Sequence, residues 1–124
     1  MRLWSEQLIS KLPQNQLRGQ HRELSALRGL GWGRKHKTVN YVFKYDRQRL
    51  YDYHLLVMEE IMNRGNVNLD IKWLNHNYRG KRSEPDNYIY EKRNYGDTIY
   101  PEHNQEYITE CINNLKDKGI NITA

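Results

Sequence analysis

Cysteine, phenylalanine and proline are scarce in this sequence, whose 124 residues include one cysteine, one phenylalanine and three prolines. The single Cys111 excludes an intramolecular disulfide framework and is typical of a reducing cytoplasm. A membrane-spanning helix needs about 20 consecutive apolar residues, and no segment of the sequence provides them. Residues 1–13 mix Arg2, Glu6 and Lys11 among apolar residues and do not resemble a signal peptide. We therefore expect a cytoplasmic protein that makes no membrane contact.

Motifs for metal, phosphate and nucleotide cofactors are also absent. The histidines are His21, His36, His54, His76 and His103, and no two of them stand four residues apart. The sequence contains no HExxH, CxxC, GxSxG, phosphate loop or dinucleotide fingerprint, so we expect neither a metal ion nor another cofactor. His54 lies in the most apolar segment, which favours a hydrogen-bonded interior histidine. Cys111 lies on an apolar helical face, which favours a buried thiol over a nucleophile.

The net charge of +5 is unevenly distributed. Residues 1–50 contain eleven Lys or Arg against Glu6, Glu23 and Asp46, a balance of +8, whereas the remainder has nine against twelve, or −3. A basic half of this kind is expected for a protein that binds a polyanion. A solvated basic face with no ligand would show the same balance, so the charge alone leaves both interpretations open.

Two helices are predicted in the first third of the chain. Ser5 can cap a short helix that reaches Leu12, and Pro13 both stops that helix and suits the first turn of the next one. The second helix runs to about Leu30, where glycines at 29, 31 and 33 break the pattern. Residues 34–45 partly alternate as a strand does, but no second convincing strand exists to pair with them. We expect an extended or irregular segment there.

The longest apolar pattern predicts a third helix from Asp46 to Arg64, closed by Gly65 in a left-handed cap. Apolar side chains surround most of its circumference, so it should be the central buried helix. Residues 66–100 have weak periodicity, with one helical turn at 70–75, and Pro101 opens a last helix. The apolar stripe of that helix is Ile108, Cys111, Ile112 and Leu115. The prediction is a compact all-α single domain over residues 1–124, with three to four helices and a long irregular segment.

Glu23 is the most informative residue of the second helix. It is the only acid between Glu6 and Asp46, and at about 100° per residue it falls between the face of Arg18 and Arg22 and the leucine side. One interpretation is structural, a salt bridge to one of three neighbouring cations. Those cations are Lys11, Arg22 and Arg28.

The other interpretation of Glu23 is chemical. A carboxylate beside a phosphate-binding face can stabilise cationic character at C1′ of deoxyribose and then exchange protons, as a base-excision enzyme requires. The basic positions able to neutralise phosphates are Arg18, Arg22, Arg28, Arg34, Lys35 and Lys37. Trp32, Tyr41 and His21 can stack on a flipped base or can equally fill the core.

Several segments, in order, resemble the phage endonuclease V family of pyrimidine-dimer glycosylases. The first is LISKLPQNQLRGQHREL at 8–24, with its Arg-Glu-Leu at 22–24. The others are Arg-Lys-His at 34–36, Tyr-Asp at 45–46 before a long helix ending Asn-Arg-Gly at 63–65, and Gly-Asp at 96–97 before Pro101. The opening Met-Arg-Leu-Trp is similar to that of a bacterial branch. In the family a further arginine stands where this chain has Ala26, and a tyrosine where it has His21.

The resemblance implies an all-helical DNA N-glycosylase and DNA-(abasic site) lyase for repair. The N-terminal α-amine would attack C1′ and form an imine, and β-elimination assisted by Glu23 would cut the strand. Because Arg2 is too large for ordinary removal of the initiator methionine, Met1 itself should supply the amine. The residues implied to bind DNA are Arg2, Arg18, Arg22, Arg28, Arg34, Lys35 and His36.

The expected partner is damaged double-stranded DNA with a flipped nucleotide, bound by a monomer that is nucleoid-associated in the cytoplasm. Two alternatives stay open at this point. One is a non-catalytic DNA-binding module, which the charge distribution alone would support. The other is an enzyme with the same imine chemistry that acts on a different base or on abasic sites only.

Overall fold

Three α-helices and three short 3-10 helices form the regular structure in the computed structural model, which describes residues 2–34, 38–65 and 68–123. The α-helices are α1 (Gln14–Arg28), α2 (Arg47–Asn63) and α3 (Gln105–Asp117). The 3-10 helices are Glu6–Lys11, Asn40–Lys44 and Ile71–Leu74. These ranges contain no strand, so the predicted all-α class is confirmed. None of the helices within them is long and apolar enough to cross a membrane.

The core forms where α1 packs on α2, and α2 also packs on the first 3-10 helix. The buried apolar side chains of the two helices are Leu17, Leu24 and Leu27 of α1 and Leu50, Tyr53, Val57, Met58 and Ile61 of α2. The prediction that α2 is the central helix is confirmed, but its apolar surface is not wholly covered. Leu56 and Met62 are each 38% exposed on its outer side.

Two predictions about helix starts need correction. The segment after Ser5 is a 3-10 helix, and the Ser5 side chain makes no capping hydrogen bond. The last helix begins at Gln105 and not at Pro101, because the side chain of Asn104 accepts a hydrogen bond from the backbone N–H of Tyr107 at 3.0 Å. This satisfies one of the free N–H groups of the first helical turn, and Pro101 lies in the preceding turn.

Asp46 occupies the N-cap of α2 as expected, but it caps no backbone N–H. Its carboxylate instead pairs with Arg93 at 2.6 Å. This ion pair ties the irregular segment before α3 to the start of α2. Glu6 fixes the same segment at its end, since its carboxylate accepts the backbone N–H groups of Ile99 and Tyr100 at 3.0 and 3.1 Å.

The N-terminal segment, residues 2–4, is bound along α1 by hydrogen bonds to its backbone. Gln20 accepts the backbone N–H of Trp4 at 2.8 Å and donates to the carbonyl of Arg2 at 3.0 Å. Tyr53 of α2 donates its hydroxyl hydrogen to the Trp4 carbonyl and lies 3.1 Å from the side-chain oxygen of Gln20. The side-chain amide of Gln20 therefore satisfies one backbone N–H and one backbone C=O of this extended segment.

The third α-helix completes this arrangement. Tyr107 donates its hydroxyl hydrogen to the carbonyl of Leu3, whose side chain is fully buried. Each of the three α-helices thus contributes one polar side chain to the same three residues of backbone. We call Gln20, Tyr53 and Tyr107 the N-terminal clamp.

We predict that Gln20→Ala lowers the free energy of unfolding by about 2–4 kcal/mol, because a buried N–H and a buried C=O lose their partners together. Urea unfolding would measure the loss. Gln105→Ala is the matched control, since Gln105 is exposed on α3 and its removal should change stability by less than about 0.5 kcal/mol. Equal stability of the two variants would contradict the clamp.

Candidate active site

Glu23 lies one helical turn after Gln20, on the side of α1 that faces the N-terminal segment. Its half-buried carboxyl group opens into a cavity of about 260 Å³. The cavity is lined by Arg2, Trp4, Glu23, Thr38, Asn114 and Lys118. The clamp places this acid beside the start of the chain, because residues three apart on a helix lie on neighbouring positions of one face.

Burial raises the pKa of Glu23, since desolvation disfavours the carboxylate. The backbone N–H of Arg2 and the charges of Lys118 and Arg22 act in the opposite direction without cancelling the effect. No ion pair within 4.0 Å joins Glu23 to Lys11, Arg22 or Arg28. The salt bridges considered from the sequence are therefore not formed, and Glu23 is a partly desolvated acid in positive surroundings.

Lys118 is a site residue that the sequence analysis missed. It follows the last turn of α3, and its Nζ lies 5.2 Å from the centroid of the Trp4 ring, on the wall of the Glu23 cavity. Its spacing from the apolar residues of α3 could have identified it from the sequence. It stands three residues after Leu115 and seven after Cys111, on the side of the predicted apolar stripe. A lysine there can extend past the core to the cavity.

Arg2 forms one edge of the cavity, but its guanidinium is already engaged. It lies 3.3 Å from a carboxylate oxygen of Glu110 and 5.7 Å from the centroid of the Tyr107 ring. Glu110 is 60% exposed, so a phosphate arriving at this edge would compete with a solvated carboxylate. Arg2 is within reach of a ligand in the cavity, and it also helps to hold α3.

Two of the arginines assigned to DNA project from the outer side of α1, where Arg22 is exposed and Arg18 is half-exposed. Arg34 is exposed beyond the end of the helix. None of the three forms an ion pair within the described part of the chain. Lys35, His36 and Lys37, like Met1, lie outside the described residues, so their predicted roles stay predictions.

Arg28 does not fit the DNA-binding role predicted for it. Its side chain is buried, with the whole residue only 5% exposed, and it donates hydrogen bonds to the carbonyls of Trp73 and Asn75 at 2.8 and 3.0 Å. Its guanidinium also lies 5.0 Å from the Tyr51 ring centroid. Desolvation lowers the pKa of this arginine to about 10. Arg28 is a structural residue that fixes the chain after α2 against the end of α1.

A polar chain runs from Arg28 outward through two histidines. An Arg28 nitrogen lies 2.9 Å from Nδ1 of His54, and Nε2 of His54 lies 2.8 Å from Nδ1 of His21. Because a guanidinium can only donate, His54 accepts at Nδ1 and donates from Nε2, which makes Nδ1 of His21 an acceptor. A neutral His21 then carries its proton on Nε2. His54 is fully buried, which confirms the predicted interior histidine.

Burial lowers the pKa of both histidines, and neighbouring positive charge adds to the effect. The charged groups acting on His21 are Asp70, which raises its pKa, and Arg28, Arg18 and Arg22, which lower it. A proton on Nδ1 of His21 would also oppose the donor of His54. His21 is therefore held neutral beside the exposed arginines of α1.

The other two aromatic candidates for base stacking are engaged in packing. Trp32 meets Phe43 edge-to-face at 5.1 Å and lies 4.5 Å beneath the guanidinium of Arg47. Tyr41 hydrogen-bonds Nε2 of His103 at 2.7 Å.

Cys111 is fully buried, which confirms the predicted buried thiol. In the described ranges no group of three or more His, Cys, Asp or Glu side chains could hold a metal ion.

A comparison with protein families matches residues 1–75 to the model of pyrimidine dimer DNA glycosylase. The matched range is more than half of the chain and includes the N-terminal segment, Glu23, α1 and α2. The chain belongs to the pyrimidine dimer DNA glycosylase family. No curated protein and no solved structure gives a match. The resemblance inferred from the sequence is confirmed, and this family member belongs to a class of DNA repair enzymes whose substrate is DNA.

The histidine chain gives this glycosylase a testable pH dependence. In His54→Leu, Nδ1 of His21 loses its donor, so the pKa of His21 should rise toward its ordinary value, and DNA affinity should increase as the solution becomes more acidic. The wild type should lack that increase, because its His21 stays neutral. Gln at position 54 can accept from Arg28 and donate to His21, so His54→Gln is the rescue control. Histidine NMR titration with parallel binding assays would measure both effects. A wild-type His21 that titrates near 6.5 would contradict the proton assignment.

Proposed function

We propose that this chain is a DNA glycosylase with AP-lyase activity on double-stranded DNA that contains a pyrimidine dimer or another modified base. Its N-terminal α-amine is the nucleophile, and Glu23 is the proton-transfer group. One observation carries the proposal. Three α-helices fix the backbone of residues 2–4 beside a partly desolvated acid that has no ion-pair partner among the described residues. The reaction needs no cofactor.

Covalent geometry limits where the amine can be. The α-nitrogen of residue 1 is three bonds from the backbone nitrogen of Arg2, so it stays within about 4 Å of that nitrogen in any conformation. Arg2 lines the cavity into which the Glu23 carboxyl group opens. With Met1 as the first residue, the proposal puts its amine at the edge of that cavity, and Met1 itself lies outside the described residues.

The chemistry follows from an amine and a carboxylate in that space. The unprotonated amine attacks C1′ as the glycosidic bond breaks, and the base leaves with the electron pair and gains a proton. Loss of a proton from nitrogen and protonation of the ring oxygen then open the sugar to an imine. Removal of a proton from C2′ expels the 3′ phosphate and cuts the strand. Glu23 accepts and returns protons in these steps.

The electrostatics of the cavity suit both groups. An α-amine has a reference pKa of about 7.7–8.0, so a useful fraction is neutral at physiological pH. The raised pKa of Glu23 makes its carboxylate a stronger base than an exposed glutamate, which suits proton abstraction from carbon.

DNA is held by phosphate contacts in this proposal. Arg18 and Arg22 stand one turn apart on the outer side of α1, next to the position of Glu23, and Arg2 adds a guanidinium at the cavity edge. A strand across this ridge would bring its sugar to the cavity. A non-catalytic DNA-binding module gains nothing from a desolvated acid in this place, because the carboxylate repels phosphate.

The amine can be tested with a tagged protein before and after proteolysis that restores Met1 as the first residue. An amide nitrogen is delocalised into its carbonyl and cannot attack C1′, so activity should appear only after removal of the tag. Borohydride should then trap an adduct on abasic DNA, with mass spectrometry placing the link at Met1. A panel of dimer, abasic and modified-base duplexes identifies the base removed.

Lys118 provides the sharpest control for this experiment, because it is the lysine whose side chain lines the same cavity in the described structure. Lys118→Gln should keep the adduct at Met1. An adduct on Lys118, or full activity of the tagged protein, would contradict the amine assignment. Failure to trap an adduct on every substrate would favour the binding module.

Glu23→Gln tests the acid. It removes the titrating group while keeping size and polarity, so strand cleavage should fall by about 100-fold or more, with DNA affinity unchanged or higher. Single-turnover cleavage and equilibrium binding measure the two effects. Glu106→Gln, on an exposed residue in the first turn of α3, is the matched control and should leave both unchanged. A fully active Glu23→Gln would show that the acid is only a surface charge.

A further inference from the structure

A second cavity, larger than that of Glu23, lies at the C-terminal end of α1. Its volume is about 590 Å³. Its apolar lining comes from Ala26, Leu30 and Trp73. Leu30 is a large hydrophobic residue, and it is 57% exposed to solvent. Leu30 and the half-buried Trp73 give the cavity an apolar floor.

The rim of this cavity is strongly basic. Arg34, Lys81 and Arg82 are exposed, and their side chains make no hydrogen bond or ion pair within the described part of the chain. Arg79 adds a fourth cation, which donates to the carbonyls of Arg28 and Gly29 at 3.4 and 3.0 Å and so caps the end of α1. Glu84 is close in sequence but lines a different cavity. Three cations therefore stand without an acid partner around an apolar floor.

The cavity continues the arginine ridge of α1. Arg18, Arg22 and Ala26 are four residues apart, so they follow one line along the helix, and Ala26 lines the cavity. From Glu23 to Arg28, the last residue of α1, the helical rise amounts to about 7.5 Å, and one DNA strand advances about 3.4 Å per nucleotide along the duplex axis. The rim lies beyond this end of α1, so a strand that follows the helix reaches it two or more nucleotides from the reacting sugar.

We propose that this cavity is a second DNA subsite, which binds the substrate strand two or more nucleotides from the damaged one. The phosphates pair with Arg34, Lys81 and Arg82, and a deoxyribose or base packs on Leu30 and Trp73. The proposal rests on the proposed function only in taking DNA as the bound polyanion. Lys81 and Arg82 lie beyond residues 1–75, the range that the family match covers.

The test is the salt dependence of binding to intact damaged duplex. Each phosphate contact contributes about 0.9 to the slope of log affinity against log salt, so Lys81→Ala/Arg82→Ala should reduce that slope by nearly 2. The control variant Lys44→Ala/Lys92→Ala removes the same charge from two exposed lysines elsewhere and should leave the slope unchanged. A duplex that ends one nucleotide past the lesion on one side and is full length on the other, tested for each side in turn, should abolish the difference between the Lys81/Arg82 variant and the wild type for one of the two sides.

The catalytic step provides a separate readout. At saturating DNA, the Lys81/Arg82 variant should keep the wild-type rate of single-turnover cleavage, because the subsite touches no reacting atom. Leu30→Ser should weaken binding without changing the salt slope. Equal slopes in the wild type and the Lys81/Arg82 variant, or an equal loss in the control variant, would overturn the subsite. If cleavage failed in every variant and in the wild type, the proposed function would be wrong while the salt slopes still tested the subsite.

Discussion

The whole structure depends on how the backbone of residues 2–4 satisfies its hydrogen bonds. An extended segment pressed into a core has no intrahelical partners, and an unsatisfied buried backbone group costs about 1–3 kcal/mol. Gln20, Tyr53 and Tyr107 meet this demand from three different helices. The same side chains that satisfy the segment therefore fix the helices relative to one another.

This constraint explains why the different sides of α1 have different roles. Its inner side holds the core leucines and Gln20, its outer side carries Arg18 and Arg22, and Glu23 stands between them at the cavity. Arg28 follows the same helical sequence but is inside the protein, where four hydrogen-bond contacts and two aromatic rings surround its guanidinium. One helix thus supports the fold, offers charge to a polyanion and presents an acid. A helix can do all three because its faces repeat every 3.6 residues.

Features that depend on the pattern of neighbouring residues could be predicted from the sequence. The all-α class, the central position of α2 and the buried states of His54 and Cys111 follow from apolar periodicity, and the isolation of Glu23 among basic residues is visible by inspection. Contacts between distant residues could not be predicted. The Tyr107–Leu3 hydrogen bond joins residues 104 positions apart, and the assignment of Arg28 failed because its partners, Trp73 and Asn75, stand 45 and 47 positions away. The predicted start of α3 was wrong for a local reason, since Asn104 caps the helix more effectively than Pro101 can open it.

The family match ends at residue 75, and the structure gives this limit a physical meaning. The matched part contains the N-terminal segment, Gln20, Glu23 and Tyr53, so it holds the acid and two-thirds of the clamp. The chain after it supplies the third clamp residue, Tyr107, and the part of the cavity wall formed by Asn114 and Lys118. It also supplies the basic rim at 79–82, which makes no hydrogen bond to the clamp residues. A rim attached in this way can change its charge or length without moving Glu23. The proposed recognition of flanking DNA is then free to vary while the geometry beside Glu23 stays fixed by the core.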